Sequence, residues 1–128
     1  MISVKDALRI HKILIDKFGG IEGIRDEGFL ESAINRPFAT FEGKDLYPSP
    51  VDKAAALIES IIMNHPFLDG NKRIGYVLMR LVLMKYGLDI EATQDDKYIF
   101  VVKISKGELN IDKIKQWIGK WTKPRNGP

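Results

Sequence analysis

Residues 49–86 decide the fold, and they read SPVDKAAALIESIIMNHPFLDGNKRIGYVLMRLVLMKY. Ser49 and Pro50 form a strong helix start, because serine caps an amino end well and proline fits the first helical position. This helix is predicted to end just before Pro66, since a proline disfavours the α conformation in the residue that precedes it. A second helix is predicted over about 71–86. Both are apolar on most sides, so we expect them to form the centre of the molecule.

The remaining chain also shows mainly helical periodicity. Apolar residues recur at helical spacing after Ser3, Asp26, Thr93 and Asn110, and each of these four side chains can cap a helix. Only residues 88–91 give a weak indication of a strand. The sequence therefore predicts a compact all-α domain of six or seven helices.

Residues 38–48 lack a helical stripe and contain aromatic residues, the turn signal Glu42-Gly43 and a proline. We interpret this segment as an ordered loop or a small hairpin. Loops of this length in compact domains are often functional. A plain connector that packs an aromatic residue into the core is an equally good interpretation.

The composition is that of an ordinary folded protein, with 128 residues, 45% of them hydrophobic and 29% charged. The length suits one domain, which we expect over residues 1–122, followed by a disordered tail over 123–128. No apolar run approaches the roughly 20 residues needed to cross a bilayer, and the first residues show no signal sequence. Cysteine is absent, which excludes thiolate metal sites and is compatible with the reducing cytoplasm, where we expect the protein.

The net charge of +3 is mild and argues against direct nucleic-acid binding. Proteins that bind duplex DNA by charge alone carry a denser basic patch. Basic residues concentrate only near the carboxyl end, where we interpret them as a solvated helix face and a frayed tail. They are Lys113, Lys115, Lys120, Lys123 and Arg125. We therefore expect neither a membrane nor a nucleic acid as a partner.

The turn between the two central helices, residues 65–73, carries the chemistry-bearing side chains. Gly70 and Asn71 lead into a helix whose first N–H groups have no partner within the helix, so these donors and the helix dipole form an anion site. Lys72 and Arg73 add two positive charges there. Cations at this end oppose the dipole at a cost of roughly a few tenths of a kcal/mol each. A bound polyphosphate resolves that conflict.

Two further side chains of the turn suit phosphoryl or nucleotidyl transfer. Asp69 can hold Mg²⁺, which keeps several waters and takes one or two carboxylates plus substrate phosphates. Taken alone, however, an Asp-Gly pair is more often an ordinary turn. His65 can act as the general base, because a neutral imidazole accepts a proton near neutral pH. The second histidine, His11, lies on the apolar stripe of the first helix, and we interpret it as a packed core side chain.

The nine residues 65–73, His-Pro-Phe-Leu-Asp-Gly-Asn-Lys-Arg, resemble the signature of Fic-domain proteins. That signature reads His, any residue, Phe, any residue, Asp or Glu, Gly, Asn, any residue, Arg. Lys72 stands where most AMP-transferring members have glycine, and a lysine there resembles the death-on-curing (Doc) branch. The resemblance covers roughly residues 1–120. Its other Doc-like stretches are Arg25-Asp26, Leu30-Glu31-Ser32-Ala33, Arg36-Pro37, Asp45-Leu46-Tyr47-Pro48 and Lys53-Ala54-Ala55-Ala56.

This resemblance implies a compact Fic fold and a transfer of part of a nucleotide to a protein hydroxyl group. It makes His65 the base, Asp69 the Mg²⁺ ligand, Gly70-Asn71 the anion-hole turn and Arg73 a phosphate ligand. We expect His65, Asp69, Lys72 and Arg73 to be catalytic, and Gly70, Asn71, Lys72 and Arg73 to bind the nucleotide. The loop around 41–47 lies where Fic proteins have a flap that aligns the target segment by strand pairing.

Doc-type members resemble kinases. This implies that ATP or another nucleoside triphosphate donates its γ-phosphate to a protein of the elongation factor Tu type. It also implies arrest of translation and an antitoxin on a separate chain. AMP-transferring members carry a second arginine three residues after the first, where this chain has Tyr76. Nucleotidyl transfer and a non-catalytic binding or regulatory role stay open as alternatives.

Overall fold

A computed structural model describes residues 2–125, and this part of the chain forms six α-helices, a 3₁₀ turn and two small antiparallel sheets. The helices are α1 (Val4–Phe18), α2 (Glu27–Asn35), α3 (Pro50–Asn64), α4 (Asn71–Lys85), α5 (Gln94–Ser105) and α6 (Ile111–Trp121). The strands are β1 (Thr40–Phe41), β2 (Lys44–Asp45), β3 (Leu88–Ile90) and β4 (Thr122–Pro124), and the 3₁₀ turn covers Arg36–Phe38. The predicted mostly helical fold is confirmed. No helix of the described residues is long and apolar enough to span a membrane.

Helices α3 and α4 form the centre of the molecule, as their apolar sequences predict. Gly75 of α4 permits their close packing, because a Cβ atom there would lie 3.2 Å from the side chain of Ile62 and 3.3 Å from that of Ile61. Helices α2, α5 and α6 pack against α3, and α1 packs against α4. Between α5 and α6 the rings of Phe100 and Trp117 are stacked, with centroids 3.8 Å apart. The central pair is therefore covered from several sides, and so the ends that meet in the turn are fixed.

Local sequence signals explain why most helices begin where they do. In five of the six helices of the described chain, the residue before the helix accepts a hydrogen bond from the backbone N–H three positions on. These caps are Ser3, Asp26, Ser49, Thr93 and Asn110. Each of them was expected from sequence. The exception, α4, begins at the turn that joins it to α3 and has no side-chain cap.

Residues 40–45 form the small hairpin that the sequence allowed. Thr40 pairs with Asp45 and Phe41 pairs with Lys44. The two turn residues between them have positive φ angles, 50° at Glu42 and 77° at Gly43. Positive φ angles at both positions are typical of a type I′ hairpin turn, and glycine adopts this geometry without strain. Both strands are exposed to solvent.

The second sheet joins β3 to β4 near the carboxyl end of the described chain. Ile90 pairs with Thr122, Asp89 with Lys123 and Leu88 with Pro124. The tail that we expected to be disordered over 123–128 is thus ordered at its first residues, because β4 gains a partner strand. Residues 126–128 lie outside the described residues. Pairing between segments so far apart in the chain leaves no local pattern, and the sequence therefore indicated β3 only weakly and β4 not at all.

Candidate active site

The turn between α3 and α4 is closed by its own side chains. The amide of Asn71 accepts a hydrogen bond from the Phe67 N–H and donates one to the Phe67 carbonyl, both at 3.0 Å. Asn71 and Phe67 are buried. Because both polar ends of the Asn71 side chain are used within the turn, this side chain shapes the site. Its backbone N–H, at the open end of α4, is the group that it offers to a ligand.

The loop between α1 and α2 braces the same turn. The Leu68 N–H donates to the Gly23 carbonyl at 3.1 Å, and the N–H groups of Arg25 and Asp26 donate to the Pro66 carbonyl at 2.7 and 2.9 Å. The guanidinium of Arg25 caps the carboxyl end of α3, where its Nε donates to the His65 carbonyl at 2.6 Å. Sequence reasoning did not assign Arg25 a role, because its partners lie about 40 residues away.

His65, the predicted base, ends α3 in a left-handed backbone conformation, with φ 49° and ψ 61°. A non-glycine residue there costs roughly 1–2 kcal/mol. The conformation is held from both sides, since the His65 N–H donates to the Ile61 carbonyl at 3.2 Å and the His65 carbonyl accepts from Arg25. The residue is exposed. The backbone thus holds His65 at the mouth of the turn, where its imidazole is accessible to a substrate.

Asp69, the predicted metal ligand, has its carboxylate fixed by two backbone donors. The Ile21 N–H donates to Oδ2 at 3.0 Å, and the Gly70 N–H donates to Oδ1 at 2.8 Å. These two hydrogen bonds, with the positive charge of Lys72 nearby, hold the pKa of Asp69 below its usual value. Gly20 permits the approach of Ile21, because a Cβ atom on Gly20 would lie 2.8 Å from Oδ2.

His11 is buried, as expected, yet it also belongs to the site. Its ring is stacked on Phe67 with centroids 3.9 Å apart, and its Nε2–H donates to the Asp69 carbonyl at 2.8 Å. The His11 side chain of α1 therefore packs in the core and also supports the turn. No sequence signal could have indicated this contact, because the two residues are 58 positions apart.

The amino end of α4 differs from that of the other helices in the described chain. Gly70 precedes it in a left-handed conformation, with φ 75°, and no side chain caps it. Its first turn contains no acidic residue, whereas each of the other five helices has at least one there. Lys72 and Arg73 are exposed, and the Arg73 guanidinium lies 4.2 Å from the centre of the Phe18 ring. Open N–H groups and two cations at a helix amino end are an arrangement that can bind an anion.

Tyr76, one turn further along α4, supplies no cation to this site. Its hydroxyl is buried and has no hydrogen-bond partner within residues 2–125. Burial raises the pKa of Tyr76 to about 12, and Arg80 and Asp89 lie near enough to influence it. The Lys97 ammonium lies 5.7 Å from the ring centre. Tyr76 therefore packs beside α5 and β3.

The residues present suit a magnesium ion that arrives with a polyphosphate. No group of three or more His, Asp or Glu side chains in the described part of the chain could hold a metal ion alone. Asp69 is exposed, and each of its carboxylate oxygens accepts one N–H and keeps a further lone pair. Because Mg²⁺ takes few protein carboxylates and completes its shell with phosphates and water, one oriented carboxylate is sufficient.

Sequence comparisons with known proteins identify the family of this chain. The curated protein "Toxin Doc" of Mycolicibacterium smegmatis is 44% identical over 78 residues, which are 61% of this chain and 60% of that protein. A Fido domain-containing protein of Dictyostelium discoideum is 37% identical over 60 residues, 44% of this chain and 42% of that protein. The chain thus spans three fifths or less of the length of these curated relatives. The model of the Fic/DOC family matches residues 1–83, well over half of the sequence, and the chain belongs to that family.

Proposed function

We propose that this chain is a Doc-type toxin. It transfers the γ-phosphate of ATP or another nucleoside triphosphate to a hydroxyl group of a cytoplasmic protein of the elongation factor Tu type, and it thereby arrests translation. The observation that carries the proposal is the amino end of α4. This end has no side-chain cap and no acidic residue in its first turn, and it carries Lys72 and Arg73 close to the oriented carboxylate of Asp69.

The residues of the turn have complementary roles in this reaction. His65 accepts the proton of the attacking hydroxyl while the new oxygen–phosphorus bond forms and the bond to the leaving nucleoside diphosphate breaks. Lys72, Arg73 and the open N–H groups of α4 stabilise the charge on the transferred phosphoryl group. Asp69 would hold Mg²⁺, which neutralises phosphate charge when bound. Phosphoryl transfer depends on such positioning and charge stabilisation more than on covalent help from the protein.

The hairpin of β1 and β2 is the flap of this proposal. It presents exposed strand edges, to which an extended segment of the target protein adds by backbone pairing. Such pairing recognises the target through backbone hydrogen bonds. This mode of recognition suits an enzyme whose substrate is a folded protein with an accessible loop.

Regulation comes from an antitoxin on a separate chain. The relative whose name is "Toxin Doc" supports this proposal. Many Fic proteins inhibit themselves through a helix with Ser or Thr followed four residues later by Glu. Within these 128 residues no Ser or Thr has Glu at that position.

The test is transfer of label from γ-labelled ATP, with Mg²⁺, to purified elongation factor Tu. We expect the wild type to transfer label, and His65→Ala to be slower by about 10²–10⁴-fold, the usual contribution of a general base. The affinity for Mg²⁺–ATP should remain nearly unchanged. If His65→Ala abolished nucleotide binding instead, His65 would not be the base.

The same reaction with α-labelled ATP separates phosphate transfer from nucleotidyl transfer. Label from the γ-position alone supports the kinase-like reaction, and label from the α-position alone supports nucleotidyl transfer. Because Tyr76 replaces the second cation of AMP-transferring members, we expect the γ-label. Transfer of neither label to any protein of a cytosolic extract would leave a non-catalytic binding role.

A further inference from the structure

Lys53 is an unusual residue for its place in the fold. It lies in α3 next to three fully buried alanines, Ala54, Ala55 and Ala56, and only 7% of its side chain is exposed. Its charge is close to the amino end of the helix, where a cation opposes the helix dipole. A buried ammonium group is retained only when its donors are satisfied, so the partners of Lys53 indicate what it does.

Within residues 2–125, the three polar partners of Lys53 all belong to the segment that carries the flap. The ammonium nitrogen lies 2.5 Å from the Tyr47 carbonyl, 3.3 Å from the Pro37 carbonyl and 3.4 Å from Asp45 Oδ2. Three acceptors match the three N–H donors of an ammonium group. Pro37 precedes the hairpin, Asp45 ends its second strand, and Tyr47 follows it. One buried cation therefore ties both ends of the hairpin to α3.

Arg36 provides a second anchor between the ends of the hairpin and α3. Its Nε donates to the Tyr47 hydroxyl at 2.9 Å, and its Nη1 donates to Glu59 at 2.9 Å and to Ser60 at 2.8 Å. Glu59 and Ser60 also belong to α3. The hairpin itself is exposed, and an isolated two-stranded hairpin is marginally stable. Its position is therefore set by these polar anchors rather than by burial.

The helix that holds the flap also holds the base. Lys53 and His65 are separated by about 18 Å along α3, at 1.5 Å per residue, and a helix is stiff over that length. We propose that Lys53 is a positioning residue for the protein substrate: it fixes the flap relative to His65, and so determines where the target hydroxyl arrives. This inference rests on the proposed function and adds to it the residue that aligns the target.

Lys53→Met tests the proposal, because methionine keeps most of the apolar volume and removes the donors. With elongation factor Tu as substrate and saturating Mg²⁺–ATP, we expect its KM to rise about tenfold while kcat changes less than about threefold. The dissociation constant for Mg²⁺–ATP should change less than about twofold. Lys53→Arg keeps the charge and should recover most of the loss. Lys103→Met removes the same charge from an exposed position of α5 and should have no effect.

Tyr47→Phe is a second variant that leaves α3 intact and removes only the hydroxyl that accepts from Arg36. We expect a smaller rise in the KM for elongation factor Tu, about threefold. Hydrogen exchange reports on the flap independently of transfer. The Leu46 N–H, which donates to the Ala39 carbonyl at the base of the hairpin, should exchange faster in Lys53→Met, whereas the amides of α4 should not.

Two results would overturn the inference. One is faster exchange at Leu46 with an unchanged KM for elongation factor Tu, since the flap would then be loosened without effect on the substrate. The other is a parallel loss of nucleotide affinity, which would make Lys53 a residue of general structural importance. If the wild type transfers no label, the proposed function fails, and the substrate role of Lys53 fails with it. The exchange at Leu46 still decides whether Lys53 holds the hairpin.

Discussion

His65 occupies a left-handed backbone conformation that favours glycine, and this conformation fixes the predicted base at the mouth of the turn. We expect His65→Gly to be more stable than His65→Ala by about 1 kcal/mol, because alanine retains the steric cost of the left-handed region and glycine does not. Both variants should lose transfer. Urea denaturation of the two proteins measures the difference. If the glycine variant were the less stable of the two, the left-handed backbone at position 65 would not destabilise the folded protein.

Asp69 gives a prediction about pH. Its pKa in the folded protein lies below the ordinary value of 3.8, because the Ile21 and Gly70 N–H groups favour the ionised form. The ionised carboxylate therefore stabilises the folded state above that value, and this contribution is lost as the pH falls through the lower, folded pKa. We expect the difference in unfolding free energy between the wild type and Asp69→Asn to shrink as the pH falls from about 5 to about 3. A constant difference over this range would contradict the assignment.

Among the elements, the loop between α1 and α2 determines how well the turn is held. Arg25 donates to the His65 carbonyl at the end of α3, and Arg25 and Asp26 donate through their backbones to Pro66. We expect Arg25→Ala to reduce kcat by about tenfold, because a small displacement of a catalytic group is costly in rate, with little change in nucleotide affinity. Steady-state kinetics and calorimetric titration of Mg²⁺–ATP measure the two quantities.

Arg9→Ala is the matched control for that variant. Arg9 is also exposed and pairs with Asp6 within α1, at 2.9 Å. It has no hydrogen bond to the turn among the described residues, and an exposed pair of this kind contributes little. We therefore expect its kcat to equal that of the wild type. Equal losses in both variants would show that the loss at Arg25 comes from removal of surface charge rather than from a displaced His65.

The elements also show which parts of the structure a sequence can predict. Ser49 and Asn110 cap helices through contacts only three residues away, so the starts of their helices were predicted correctly. The chemistry-bearing residues of the turn were found for the same reason, since they lie next to one another. The sequence did not predict that His11 and Arg25 contact the turn, or that β4 pairs with β3. Their partners are distant in sequence, and only the packed fold brings them together.

At the scale of the whole molecule, the candidate site lies in the part of the chain that matches the family model, and the part beyond it contributes to the core. Residues 1–83 match the family model and contain every residue of the candidate site. Helices α5 and α6 follow that region and pack against α3, where Phe100, Ile104, Ile114 and Ile118 are buried. They complete the core behind the central pair. The turn keeps its geometry because the rest of the molecule buries the two helices that enter and leave it.

Inhibition by a separate chain has consequences for cell growth. If the inhibitor is a separate chain, expression of this chain alone should arrest growth, and expression of His65→Ala at the same level should not. Co-expression with its antitoxin should restore growth, and the two proteins should elute together in size-exclusion chromatography. His65→Ala should still bind the antitoxin, because the substitution removes an imidazole and leaves the fold in place. If cells that express the wild-type chain alone grow normally, the proposed toxic activity is wrong. If the wild-type chain elutes without a partner after co-expression, the proposal of a separate inhibitor is wrong.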